Sequence, residues 1–236
     1  MKWLTSASID ELGDKLINDY MKKQANTNYK VDIDGFVTEY LRLPILYHTI
    51  AETDCSKLGF ISDGKTPLSI IIGGKKQTGI FPKGTIVIEK CLRAQNETGR
   101  RRFTIAHEAA HYIVDKSLST ASFHREFDRE RTYTAEELKN IFNIDETNID
   151  RLAGALLLPS FMVRGYLKNN NRANGIAIYD DRFIRPQDTY FLRKMAADMG
   201  SSLTALQIRI KQLGLYINKP MNEYIAELGF GKDDVN

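Results

Sequence analysis

Cysteine, histidine and proline are all scarce in this chain, at two, four and six of 236 residues, and each shortage removes a class of explanation. Cys55 and Cys91 are too few for a disulfide framework and stand at no metal-ligand spacing, so they read as ordinary reduced thiols. With few prolines and no low-complexity tract, the chain fits neither a fibrous nor a disordered class. No run approaches the roughly 18 apolar residues of a membrane span. The opening Met-Lys-Trp-Leu-Thr-Ser-Ala-Ser lacks the apolar core of a secretory signal. The expectation is a soluble cytoplasmic protein with no membrane partner. A net charge of +3 is too small to demand an acidic partner. What remains is an ordinary globular composition, 42% apolar and 27% charged, with enough length to build a core without cross-links.

Apolar residues at Ile9, Leu12, Leu16, Ile17, Tyr20 and Met21 keep helical spacing and predict a helix over 9–23. A second helix is expected over 36–43, ending before Pro44. Residues 45–92 change character: Ile45-Leu46-Tyr47, Leu58-Gly59-Phe60-Ile61, Leu68-Ser69-Ile70-Ile71-Ile72 and Thr85-Ile86-Val87-Ile88 are short and separated by turn residues, and read as a small sheet. A helix over 99–116 follows. From Thr134 onward the patterns are mainly helical, with 175–187 as the longest irregular stretch. Helices, sheet, helix, helices make the class α+β. The expected division is an N-terminal helical extension (1–30), a central domain (31–170) and a C-terminal helical region (171–236). Within the last, residues 193–213 resemble a helix-turn-helix, which two packed helices with a glycine turn also do. A packing or substrate-docking role is favoured for them, and direct nucleic-acid binding is not expected.

Two of the four histidines fall in one pentapeptide, His107-Glu108-Ala109-Ala110-His111. On a helix, positions i and i+4 lie one above the other, so both imidazoles can reach one metal ion. Glu108, next to the first of them, can reach a water on that metal, which is the arrangement of a zinc hydrolase. The segment is apolar almost all round, through Phe103, Ile105, Ala106, Ala109, Ala110, Tyr112, Ile113 and Val114, so the helix should be buried. A buried glutamate is costly unless it has a partner or a task, and a metal with its water supplies both.

Catalytic zinc takes three protein ligands. Downstream, Glu146 and Asp150 are i and i+4 on a helix whose apolar stripe of Leu152, Ala153, Leu156 and Leu157 stops at Pro159. In zinc enzymes of the thermolysin kind such a pair divides the work: the first carboxylate binds the metal and the second orients a ligand histidine. The adopted reading is Glu146 as ligand and Asp150 as the orienting group. The competing reading makes Glu146 a helix N-terminal carboxylate facing the dipole. His48 and His124 remain alternative donors. Glu126, Asp128 and Glu130 lie in a mixed-charge run that reads as a solvated surface, and so do Arg100, Arg101 and Arg102.

The segments Arg102-Phe103-Thr104-Ile105-Ala106-His107-Glu108-Ala109-Ala110-His111-Tyr112 and 146–159, with the sheet before them, resemble the ImmA/IrrE metallopeptidase family over about residues 35–165. Ala110 stands where the family commonly has glycine, Asp150 where it has asparagine, and Leu152 where it has phenylalanine. The resemblance implies a minimal thermolysin-like core, a zinc ion on His107, His111 and Glu146, and Glu108 as the catalytic carboxylate. It further implies a bacterial cytoplasmic endopeptidase, encoded in mobile elements or stress regulons, that cleaves a helix-turn-helix transcriptional repressor.

In such a reaction Glu108 moves the proton, and the oxyanion needs one donor beside the metal. Tyr112, Tyr133 and His124 are the candidates. A substrate strand is expected on an exposed sheet edge, at 85–88. The alternative function is a non-proteolytic regulator with a structural metal site.

Overall fold

The first helix starts where a cap residue allows it. Thr5 accepts a hydrogen bond from the Ser8 N–H, so α1 runs Ser6–Met21, three residues ahead of its first apolar position. The computed structural model describes residues 5–22, 28–52, 57–114, 122–125 and 144–228, those at 122–125 and 144–145 as backbone only. Two compact units divide at Pro159 and Ser160.

In the first unit, Ile9, Gly13, Ile17 and Tyr20 form the buried stripe of α1, which lies on α4 (Ile144–Leu157). Gly13 lets the two helices touch, because a Cβ there would lie 2.6 Å from that of Ala155. Arg151 of α4 pairs with Asp10 of α1. The helix expected over 36–43 is instead a short α2 (Ile33–Gly35), capped by Asp32, followed by one π-helical turn over Phe36–Tyr40. It stops early because Arg42 adopts a left-handed φ of 59°.

Six strands follow in the order β4-β3-β1-β5-β2-β6. They are β1 (Ile45–Ile50), β2 (Lys57–Ile61), β3 (Leu68–Ile72), β4 (Lys75–Gly79), β5 (Ile86–Glu89) and β6 (Ser122–Arg125). Only β1 and β5 pair in parallel; the other neighbours are antiparallel. The fully exposed β4 was not expected, since Lys-Lys-Gln-Thr-Gly has no apolar alternation. Its turn was legible: Gly73 and Gly74, both at positive φ, make the two-residue hairpin link. The strand expected to offer a free edge lies inside the sheet. β5 has β1 on one side and β2 on the other, and Ile86, Val87 and Ile88 are fully buried.

The helix α3 (Thr98–Val114) lies against β2, β5, β6 and α4, which buries Ile105, Ala106, Ala109 and Ala110. The arginines at its start behave differently from one another. Arg100 pairs with Glu97 and Arg101 faces Asp34, but Arg102 is buried and donates to the Val31 carbonyl at 2.7 Å. Burial pushes its guanidinium pKa down.

The second unit holds α5 (Ser160–Asn169), β7 (Ile176–Tyr179), α6 (Pro186–Asp198), α7 (Leu203–Gln212), β8 (Tyr216–Lys219) and α8 (Met221–Glu227). The stretch expected to be irregular, 175–187, contains β7, which pairs in parallel with β8 through the crossover of α6 and α7. Its partner lies forty residues on (Ile176 pairs with Tyr216), so no local pattern announces it. Among the described residues no helix is long and apolar enough to cross a membrane.

Candidate metal centre

Two helices supply the centre, and each contributes residues one turn apart. On α3, His107 is 2% exposed and His111 half-buried, with ring centroids 4.8 Å apart and the two Nε2 atoms 3.1 Å apart. On α4, Glu146 and Asp150 occupy the first two turns. Glu146 Oε2 lies 3.4 Å from His107 Nε2 and 3.5 Å from His111 Nε2. Asp150 Oδ1 lies 2.8 Å from His107 Nδ1, on the far side of the ring. The packing of α3 on α4 is what brings these four together. Glu108 is fully buried beside them.

The charge balance of this group is unusual. A carboxylate at Nδ1 can only accept, so His107 donates there and turns its Nε2 toward His111 and Glu146. His107 Nε2, His111 Nε2 and Glu146 Oε2 thus converge on one point, where a proton or a metal ion can lie among them. Burial alone would push the His107 imidazole down. Hydrogen bonds to Asp150 and Glu146 and the Glu108 charge outweigh it and raise the pKa to about 9. Burial would likewise raise Glu146, yet its contacts with His107 and His111 hold it well below the usual carboxylate range.

His107, His111 and Glu146 form a group that could hold such an ion. A tetrahedral zinc with nitrogen and oxygen ligands at about 2.0–2.1 Å separates its ligand atoms by about 3.3–3.4 Å. The three separations here are 3.1, 3.4 and 3.5 Å. Two imidazoles and a carboxylate are also the donor set of a catalytic site, which keeps its fourth position open. The residues fit the ion.

Other expected participants fall elsewhere. His48 sits on β1 with its ring 5.8 Å from that of Phe81, outside the group. Tyr112 is half-buried on α3, and one residue beyond His111 its side chain leaves the helix about 100° around from the ligands. His124 belongs to β6, of which only the backbone is described, and Tyr133, Glu126, Asp128 and Glu130 lie outside the described residues. One neighbour carried no motif signal. β2 passes over Glu108 at Gly59, so closely that a Cβ on Gly59 would lie 2.6 Å from Glu108 Oε1. A glycine inside an otherwise apolar strand was the available hint.

A family model described as the IrrE N-terminal-like domain, of the M78 peptidases, matches residues 82–211. No curated protein is similar enough to the chain to count as a match.

Proposed function

Because the chain belongs to the M78 peptidase family of IrrE N-terminal-like domains, we propose that it is a zinc-dependent endopeptidase acting on a bacterial regulatory protein, a helix-turn-helix repressor by family resemblance. The observation that carries this reading is the convergence of His107, His111 and Glu146 beside a buried glutamate. In this reading those three residues hold the zinc, which when bound supplies Lewis-acid activation of water and of a peptide carbonyl. Glu108 accepts the proton of the attacking water and returns it to the leaving amine. Its full burial keeps bulk water away from the carboxylate. Asp150 fixes His107 with Nδ1–H outward and makes Nε2 the ligand atom. In this reading an extended substrate pairs with β6, which among the described residues is the sheet's edge beside α3.

The test is to incubate the zinc-loaded chain with a proteome-derived peptide library and read new amino termini by mass spectrometry. Wild type creates them. Glu108→Gln retains about one zinc per chain and loses roughly 10²–10⁴-fold in rate. Undiminished cleavage by that variant removes Glu108 from the role of base. No cleavage by zinc-loaded wild type leaves the regulator reading, for which α6 and α7, joined through Gly200 at φ +65°, would be the binding element.

A further inference from the structure

Gly59 has no conformational reason to be a glycine. Its φ lies outside the left-handed region. The pairing of β2 with β6 is irregular between Lys57 and Gly59, but a bulge demands glycine only where the residue takes positive φ. In a strand interior a glycine costs roughly 0.5–1 kcal/mol relative to alanine. Something other than strand stability therefore favours it here.

The space answers the question. A Cβ on Gly59 would meet Glu108 Oε1 at 2.6 Å, Thr104 Cγ2 at 2.6 Å and Glu108 Cγ at 3.2 Å. All three atoms belong to α3 side chains, and two belong to the carboxylate-bearing residue. The strand itself cannot give way, because Gly59 is laddered to Ile88 of β5 and to His124 of β6. Thr104 is buried and β-branched, so its methyl has little freedom.

We propose that Gly59 is a positioning residue for Glu108, the side chain it lacks being the space in which the carboxylate sits. This rests on Glu108 being the general base. The backbone of β2 is then the wall that fixes how far Oε1 stands from the ligand residues. With alanine at position 59, Oε1 must retreat by about 0.8 Å to reach an ordinary contact of 3.4 Å. Displacements near 1 Å at a reacting group cost up to roughly 10²-fold in rate. None of the three contacting atoms belongs to His107, His111 or Glu146, so zinc binding stays intact.

The experiment uses the zinc-loaded full chain. Gly59→Ala should keep the zinc content of wild type while cleaving the same peptide library roughly 10–100-fold more slowly. A thermal cycle adds a readout independent of cleavage. It is run in a Thr104→Ser background, which deletes the other contacting methyl. There Gly59→Ala should lower the Tm while Glu108 is present, and should not lower it once Glu108→Ala removes the carboxylate. Should the single variant fail to fold, its Thr104→Ser form carries the rate measurement. Wild-type rates in Gly59→Ala, loss of zinc in step with rate, or equal Tm losses with and without Glu108 would each overturn the proposal. If wild type cleaves nothing, the peptidase reading fails on its own, and the thermal cycle still decides whether Gly59 holds Glu108.

Discussion

Two clusters of ionisable groups, one in each unit and each gathered around a buried residue, differ in charge. In the first unit His107 is 2% exposed among Glu108, Glu146 and Asp150. In the second, Asp188 is 3% exposed and accepts from Arg172 at 3.0 Å and Arg185 at 2.9 Å. Arg185 continues to Glu227, and Lys219 bridges Glu223 and Glu227. There each cation lies against an anion, and the network closes on itself. It also borders a cavity of about 570 Å³, on whose wall Arg172 and Arg185 are already paired with Asp188. In the first cluster, among the described residues, three carboxylates stand around two imidazoles whose Nε2 atoms lie 3.1 Å apart. A buried charge marks a functional site when its compensation is left for something else to provide.

The sharpest way to break this contrast is to remove Glu146. Glu146→Ala should weaken zinc binding by more than the roughly 100-fold that losing an outer partner of a ligand costs, measured by competition with a chromophoric chelator. Without metal, the same variant should melt within about 2–4 °C of wild type, because a half-exposed ion pair contributes at most about 1 kcal/mol. Equal zinc affinity in variant and wild type would return Glu146 to the role of a dipole-facing carboxylate. Asp150 should matter less: Asp150→Ala costs roughly 10–100-fold in zinc affinity. Asp150→Asn falls at the lower end, since an amide oxygen still accepts from His107 Nδ1–H. An Asp150→Ala chain that binds zinc like wild type would show that packing alone orients the ring.

The two clusters also differ in how well sequence reveals them. His107, Glu108 and His111 share one helical pentapeptide, and Glu146 and Asp150 share one helical face, so the periodicity of 3.6 places each pair before any packing is known. That both pairs meet depends on α3 lying against α4, which the apolar stripes of both helices only imply. Gly59 is different, because its significance arises from a strand crossing a helix forty-nine residues away in sequence. The Asp188 network spans 172–227, and its members are ordinary surface-type residues with no spacing rule to join them. β7 and β8 were illegible for the same reason, each being too short to declare itself without the other. In the sheet, β1, β2, β3 and β5 were legible from β-branched runs, whereas their order was not. The expected free edge at 85–88 failed on that point, since β5 pairs with β1 on one edge and β2 on the other.

The smallest effect is expected in the closed network, and it separates structural charge from functional charge. Removing one partner of a fully buried ion pair costs about 3–5 kcal/mol. Here the arginine side chains keep more than a quarter of their exposure, so water screens them once Asp188 is gone. Arg172 also retains its place over the Phe191 ring, 4.1 Å from the centroid. Asp188→Ala should therefore cost about 1–2 kcal/mol, or about 2–8 °C in Tm for a chain of this size. Zinc content and the cleavage rate per folded molecule should stay those of wild type, because the network's charges are spent on each other. A Tm loss alone keeps the contrast as drawn. A changed rate with intact zinc would make the Asp188 network part of the working site.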